Sequence, residues 1–282
     1  MEYVQAIGAP FLTQFSSNSD LKPKKFEWTL DDSPIKVFMD SAIPHGIRYQ
    51  KKPGEKKVAW VCESRAIFYS WSIPRDVFSR MIPELEQSYD AVYFADREFN
   101  QQSSVFKFAF AGSNLPWVKE HKIFEKTKNC SMFASSKRVT RGHEIRHQIA
   151  ESLKGTGKVD IFGGAAGTTR VGEKGTPWPD KSEQINPYRF QIVIENDSYE
   201  TYFTEKLTDC FATGTIPVYW GAPDIGKYFN TDGMIIIDDL LDTNILTEEY
   251  YMSKMDAIKD NFERIQKMQG SDDILYELIK QL

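Results

Sequence analysis

The sequence predicts a two-domain α/β protein built on parallel sheets, and three observations carry that expectation. A chain of 282 residues with 41% hydrophobic and 27% charged residues can bury one large core or two modest ones, and two is the expected number. Short apolar runs alternate with stretches of helical spacing, the order of an α/β protein. Several of the runs are apolar at every position, which suits strands covered on both faces rather than strands with one wet face.

Composition excludes several classes. A net charge of −5 argues against a nucleic-acid binder, which needs a basic face to neutralise phosphates. Cys62, Cys130 and Cys210 are far apart and odd in number, so they form neither a disulfide framework nor a metal-ligand spacing. The chain has no apolar run of about 18 residues, and MEYVQAIGAPFL lacks a basic region followed by an apolar core. A soluble protein of a reducing compartment, cytoplasmic and without a transmembrane segment, is expected. No internal repeat or low-complexity segment is present.

Residues 1–34 mix Ser, Asn, Pro and Lys with isolated aromatics and predict an irregular arm. Ile35 to Met39 predicts a strand, Lys51 to Lys57 a turn-rich connection containing Pro53 and Gly54, and Lys57 to Cys62 the next strand, ending at Glu63 and Ser64. Val77 to Glu86 predicts a helix interrupted by Pro83. Ala91 to Phe94 and Phe106 to Ala111 complete a first domain spanning residues 1–125.

The second domain, 126–282, begins with a strand over Cys130 to Ala134. In GHEIRHQIAESL, Ile145, Ile149 and Leu153 recur at helical spacing, and KVDIFGG gives another buried strand. Gly163 to Asp180 is rich in Gly, Thr and Pro and predicts a loop; no helical pattern follows Gly163, Gly164 and Gly167, so they are not a dinucleotide fingerprint. Phe190 to Ile194 is a buried strand. Thr204 then offers an N-cap, Leu207, Cys210 and Phe211 an apolar helix face, and Gly214 a stop. Ile216 to Trp220 and Met234 to Ile237 are further strands. Thr247 to Gln269 predicts one long amphipathic helix, and the last dozen residues a helix that returns to the first domain.

Ligands of open parallel sheets bind beyond the carboxyl ends of the strands, where helix N-termini present free N–H groups. Glu195, Asn196, Asp197, Tyr202, Glu205 and Lys206 gather at that end. A lysine can meet a phosphate and a glutamate can accept from paired hydroxyls; the same charges also suit a solvated helix end. Lys119 to Arg146 carries eight Lys or Arg against three Glu, which fits either a field that steers an anionic ligand or a solvated linker face. Phe68, Tyr69 and Trp71 fit a sugar-stacking surface or simply core. His143-Glu144-Ile145-Arg146-His147 matches H-E-x-x-H, the pattern of a zinc hydrolase, but no third ligand accompanies it.

RFQIVIEND, the TEKL that follows it, GTIPVYWG and IIIDDL together resemble the donor-binding half of the α-1,3-fucosyltransferase family, over roughly residues 130 to 240. The resemblance implies two Rossmann-like domains facing a cleft, the GT-B arrangement. It implies an inverting enzyme that moves fucose from a GDP-fucose donor to a hydroxyl of a glycan acceptor. By the same resemblance, Arg146 and Lys206 meet the donor diphosphate, Glu205 accepts from the ribose hydroxyls, Asn196 and Tyr202 make further donor contacts, and Glu63 is the general base. Asp197 stands where the family more usually has Ser or Thr, an extra negative charge near the diphosphate. Around Glu63, Cys62, Ser64 and the nearby aromatics lead to the expectation that burial raises the basicity of this carboxylate. No cofactor is required by any ligand cluster, and a divalent cation would at most stimulate. The alternatives are a zinc-dependent hydrolase using His143 and His147, and a non-catalytic carbohydrate-binding protein of the same fold.

Overall fold

The computed structural model describes residues 1–8, 22–112, 114–164, 181–238 and 241–282. Backbone contacts divide the chain into two units, Met1–Asn114 with Glu200–Tyr202 and Gln269–Leu282, and Leu115–Tyr199 with Phe203–Met268. Residues 115–124 go with the second unit because their backbone is bonded there: the Lys122 N–H donates to Ala212 O at 2.9 Å and the Phe124 N–H to Thr213 O at 3.3 Å.

The first unit is a six-stranded sheet with the order β2-β1-β3-β4-β5-β6, formed by β1 (Glu2–Ile7), β2 (Phe26–Thr29), β3 (Ile35–Met39), β4 (Lys56–Trp60), β5 (Ala91–Phe94) and β6 (Phe106–Phe108). Every neighbouring pair is parallel. The expected irregular arm over residues 1–34 is therefore corrected: it supplies β1 and β2. Their signal is alternation, Val4 and Ala6 in one strand and Phe26 and Trp28 in the other being buried between more exposed neighbours, which is the pattern of strands toward a sheet edge.

The two-residue side-chain period builds two separate cores. Val37, Met39, Val58, Trp60, Ala91 and Tyr93 pack on one face with Leu275 and Ile279, while Phe38, Ala59, Val61, Val92 and Phe94 pack on the other. Five helices lie between β3 and β6, α1 (Ile43–Arg48), α2 (Arg65–Ile67), α3 (Arg75–Arg80), α4 (Ile82–Ser88) and α5 (Arg97–Asn100). The expected single helix around Val77 to Glu86 is split into α3 and α4, with Pro83 in the first turn of α4, where a missing N–H costs nothing. Leu275 and Ile279 are one turn apart on the C-terminal helix Ser271–Lys280, which places that helix in the first unit; burying each stabilises by about 2 kcal/mol. Asp272 accepts from the Trp28 indole at 3.1 Å, and Asp273 from the Lys24 and Lys25 backbone.

The second unit is a five-stranded sheet of order β11-β10-β9-β7-β8, again wholly parallel. Its strands are β7 (Lys128–Phe133), β8 (Asp160–Phe162), β9 (Tyr188–Ile194), β10 (Ile216–Trp220) and β11 (Ile235–Ile236), and its helices α6 (Arg141–Leu153), α7 (Ser182–Ile185), α8 (Glu205–Thr213), α9 (Glu248–Ser253) and α10 (Met255–Gln266). The core joins Ile145 and Ile149 of α6 to Phe190, Ile192 and Ile194 of β9 and to Ile216 and Val218 of β10. The long helix expected from Thr247 to Gln269 is two helices that meet at Lys254, whose backbone leaves helical geometry at φ −102° and ψ 8°. Residues 165–180, most of the expected Gly163 to Asp180 loop, lie outside the described residues. Among the described residues no helix is long and apolar enough to cross a membrane.

Candidate functional site

In the second unit the polar groups of interest converge on three consecutive residues at the carboxyl end of β9. Ile194 offers its backbone carbonyl, Glu195 is fully buried, and Asn196 begins the loop that leaves the strand. Two glycines make room for them. A Cβ on Gly142, in the first turn of α6, would lie 1.8 Å from Glu195 O, and one on Gly221 would lie 2.2 Å from the Tyr219 hydroxyl and 2.8 Å from Glu195 Cγ. Neither site could accept a side chain without displacing the β9 terminus, so a bare backbone there is what lets α6 sit against it.

That close approach sets Arg146. One turn along α6, its Nε donates to Ile194 O at 2.9 Å and its Nη2 to Asn196 Oδ1 at 2.6 Å. The guanidinium is buried, with its residue 6% exposed, and its planar fork is oriented by two acceptors before any ligand arrives. Asn196 is correspondingly fixed. Asp197 accepts the N–H of Ser198 at 2.8 Å, so part of its charge is taken up by its own turn.

Glu195 links this corner to α8. Its Oε1 accepts the backbone N–H of Thr204 at 2.8 Å and its Oε2 the Thr204 hydroxyl, also at 2.8 Å. Thr204 is the expected N-cap: its Oγ1 accepts from the Lys206 N–H, and Gly214 closes the helix at φ +70°. Lys206 Nζ donates to Thr204 Oγ1 at 3.0 Å and to Glu205 Oε1 at 3.1 Å, and lies 3.7 Å from Glu195 Oε2. Burial raises the Glu195 pKa, with Lys206 opposing the rise. For Glu205 burial acts the same way but is outweighed by Lys206 and Lys181, which hold this carboxyl below its usual range.

Beneath these groups lies an ion pair that sequence reasoning missed. Asp209, fully buried, accepts the backbone N–H groups of Trp117 and Val118 at 2.6 and 3.0 Å and the Lys181 ammonium at 3.1 Å. Lys181 also lies 3.8 Å from Glu205 Oε1 and 4.7 Å from the centre of the Trp117 ring. The available signal was Asp209 one turn after Glu205 on the apolar side of α8, a position where a carboxylate demands a partner. The basic stretch Lys119 to Arg146 is not a uniform solvated face either: Lys126 Nζ is held by Asn186 O, Thr213 O and Thr215 Oγ1 at 2.8 to 2.9 Å.

The H-E-x-x-H motif has a different use from the zinc reading. His143 is buried at the third position of α6 and completes a capping box with Thr140: its Nδ1 accepts the backbone N–H of Thr140 at 3.2 Å. Burial, followed by Arg146 and Lys137, lowers its pKa to about 4, consistent with a neutral ring acting as acceptor. His147 faces the Lys137 carbonyl at 3.1 Å. Among the described residues no three metal-capable side chains come together.

The structure thus joins Arg146, Asn196, Glu205 and Lys206 through Glu195 and Thr204. The other two predicted residues belong to the first unit. Tyr202, 2% exposed, groups there with Glu200 and Thr201. Glu63 follows β4 and precedes Ser64, whose hydroxyl caps α2. Glu63 is exposed, so the expected burial of this carboxylate is corrected; the buried acid is its neighbour Asp40, whose Oδ1 accepts the N–H of Cys62 at 3.0 Å. Of the aromatic cluster, Phe68 is core against Phe78 and Phe94, whereas Trp71 is 54% exposed.

Comparison with known proteins adds the family. An α-1,3-fucosyltransferase of Helicobacter pylori is 37% identical over 60 residues, 21% of this chain and 13% of that protein. A fucosyltransferase-like protein of Acanthamoeba polyphaga mimivirus is 24% identical over 251 residues, 80% of this chain and 38% of that protein. The chain therefore spans well under two thirds of the length of these curated relatives. A crystal structure of an α1,3-fucosyltransferase superposes with a TM-score of 0.50 at 13% identity, covering 100% of this chain and 90% of that one, which shows the fold: parallel α/β units of the GT-B class. The model of glycosyltransferase family 10 (fucosyltransferase), C-terminal part, matches residues 123–267. Because that match takes in just over half of the sequence and every strand of the second unit, the chain belongs to glycosyltransferase family 10, the fucosyltransferases.

Proposed function

We propose that this protein transfers fucose from GDP-fucose to a hydroxyl of a glycan acceptor with inversion at the anomeric carbon. The observation that carries the reading is the pre-oriented cluster of Arg146, Asn196, Glu205 and Lys206 at the end of β9 and the start of α8, in a chain of the fucosyltransferase family. Arg146 and Lys206 supply two positive groups for a diphosphate, and Glu205, held ionised, is an acceptor for ribose hydroxyls. Asn196 and Tyr202 are assigned further donor contacts.

In the proposed step Glu63 takes the proton of the acceptor hydroxyl, and that oxygen forms a bond to C1 of fucose. The bond from C1 to the β-phosphate oxygen breaks with its electron pair on GDP, and the growing charge is met by Arg146 and Lys206. These two cations make a divalent metal ion stimulatory at most. Three free cysteines suit a reducing compartment.

Calorimetric titration tests the donor: GDP and GDP-fucose should bind more tightly than UDP-glucose, and equal affinity for UDP-glucose would refute the assignment. Glu63→Gln tests the base. It should lower fucosyl transfer by about 10²- to 10⁴-fold with GDP affinity unchanged, and near-normal transfer would remove Glu63 from the mechanism.

A further inference from the structure

Asp40 follows the carboxyl end of β3, beside the end of β4 in a parallel sheet, the side on which such sheets bind ligands. It is held under three unfavourable conditions. Its φ is +44°, a left-handed conformation that disfavours L-residues and is tolerated best by Asn and Asp. Its carboxyl is buried, with the residue 8% exposed. Among the described residues, the ionic group that acts on it carries the same charge: burial first, and then Glu63, raise its pKa to about 7, while the N–H groups of Cys62 and Glu63 oppose the rise.

Those two N–H groups reach Asp40 Oδ1 at 3.0 and 3.5 Å, so the side chain ties down the loop on which Glu63 stands. The segments packed against Asp40 also carry His45 and Arg48 on α1 and Tyr69 in the Phe68–Ser72 turn, yet among the described residues Glu63 is the one charged group that acts on it. Cys62 brings a partly buried thiol, pushed well up by desolvation and then by Asp40, Asp272 and Glu63. Packing does not call for an acid here. Asn would accept the same two N–H groups, tolerate the same φ and avoid both the burial of a carboxylate and the like-charge repulsion.

We infer that Asp40 is a positioning residue for Glu63, clamping its loop through the backbone of Cys62 and Glu63 and, by its charge, setting how readily Glu63 takes a proton. The inference rests on the proposal that Glu63 is the base. Carboxyl groups that act on one another release their protons in steps that belong to the pair. A charged Asp40 makes Glu63 the stronger base, and removing that charge makes it weaker.

Asp40→Asn keeps the clamp and deletes the charge. With the side-chain carboxyls ¹³C-labelled, the Glu63 signal of the unsubstituted protein should show a second step near pH 7, where Asp40 gives up its proton, and Asp40→Asn should leave a single step. GDP-fucose turnover with water as acceptor should fall about 3- to 10-fold at neutral pH, and GDP affinity should stay within about twofold because the proposed diphosphate contacts lie in the second unit. An Asp40→Asn protein with unchanged Glu63 titration and unchanged turnover would overturn the inference, and so would a loss of turnover confined to Asp40→Ala, which would reduce Asp40 to an anchor. Glu63→Gln measured alongside separates the two readings. If it keeps full turnover, the proposed base fails, while the carboxyl titration still reports whether the pair is coupled.

Discussion

Asp209→Asn is the substitution whose effect follows most directly from the geometry. Asn keeps an oxygen for the Trp117 and Val118 N–H groups, which lie 2.6 and 3.0 Å from Oδ1, but it replaces the oxygen that accepts the Lys181 ammonium at 3.1 Å with an amide that only donates. Removing one partner of a buried pair costs about 3 to 5 kcal/mol, because the other charge is stranded. Here Lys181 retains Glu205 Oε1 at 3.8 Å and the Trp117 ring, so the lower end applies, about 3 kcal/mol. For a unit of this size that corresponds to a fall in Tm of about 6 to 12 °C. Chemical denaturation, with amide exchange of α8 and of residues 117–118 to localise the loss, measures it. Lys181→Met and the double variant complete a cycle in which the pair should show a coupling of at least about 1 kcal/mol. A cost below about 1 kcal/mol for Asp209→Asn, or additive effects in the cycle, would show that Lys181 and Asp209 are independent and refute the ion-pair argument.

Three further outcomes are expected. Burial lowers the Lys126 pKa to about 7, below its unfolded value, so its contribution is fully present above the unfolded pKa and is lost as pH falls through about 7. Lys126→Met should therefore cost about 2 to 3 kcal/mol at pH 10 and less at pH 6, and a pH-independent cost would contradict this. His143→Ala should destabilise α6 by about 1 kcal/mol through loss of the cap, with zinc having no effect on the thermal unfolding of either protein; a zinc-dependent rise in the Tm of the unsubstituted protein that is absent in the variant would restore the metal reading. Lys206→Ala should weaken GDP binding by about 1.5 to 3 kcal/mol, the loss of a charge-assisted hydrogen bond, and unchanged affinity in the folded variant would show that the ammonium meets no phosphate.

Local signals in the chain carried most of the architecture. Short runs dominated by apolar residues became the central strands β3, β5, β9 and β10, and Thr204 and Gly214 bounded α8 as N-cap and left-handed stop, because a cap or a buried strand depends on residues a few positions apart. Pro83 marked the break between α3 and α4 for the same reason. Family motifs, also contiguous, placed Asn196, Glu205 and Lys206 at one strand end. What the sequence could not convey depends on register between distant segments. Alternation too short to stand out from loop composition hid β1 and β2 until their parallel partners supplied the missing hydrogen bonds. Arg146 reaches Ile194 and Asn196 only because Gly142 admits α6 to the end of β9. Asp209 finds residues 117, 118 and 181 across long stretches of chain, and Asp40 meets the N–H of Cys62 because β3 and β4 lie side by side. A buried charge looks like any other charge in a sequence; only the tertiary structure shows how much water it has lost and which partner replaces it.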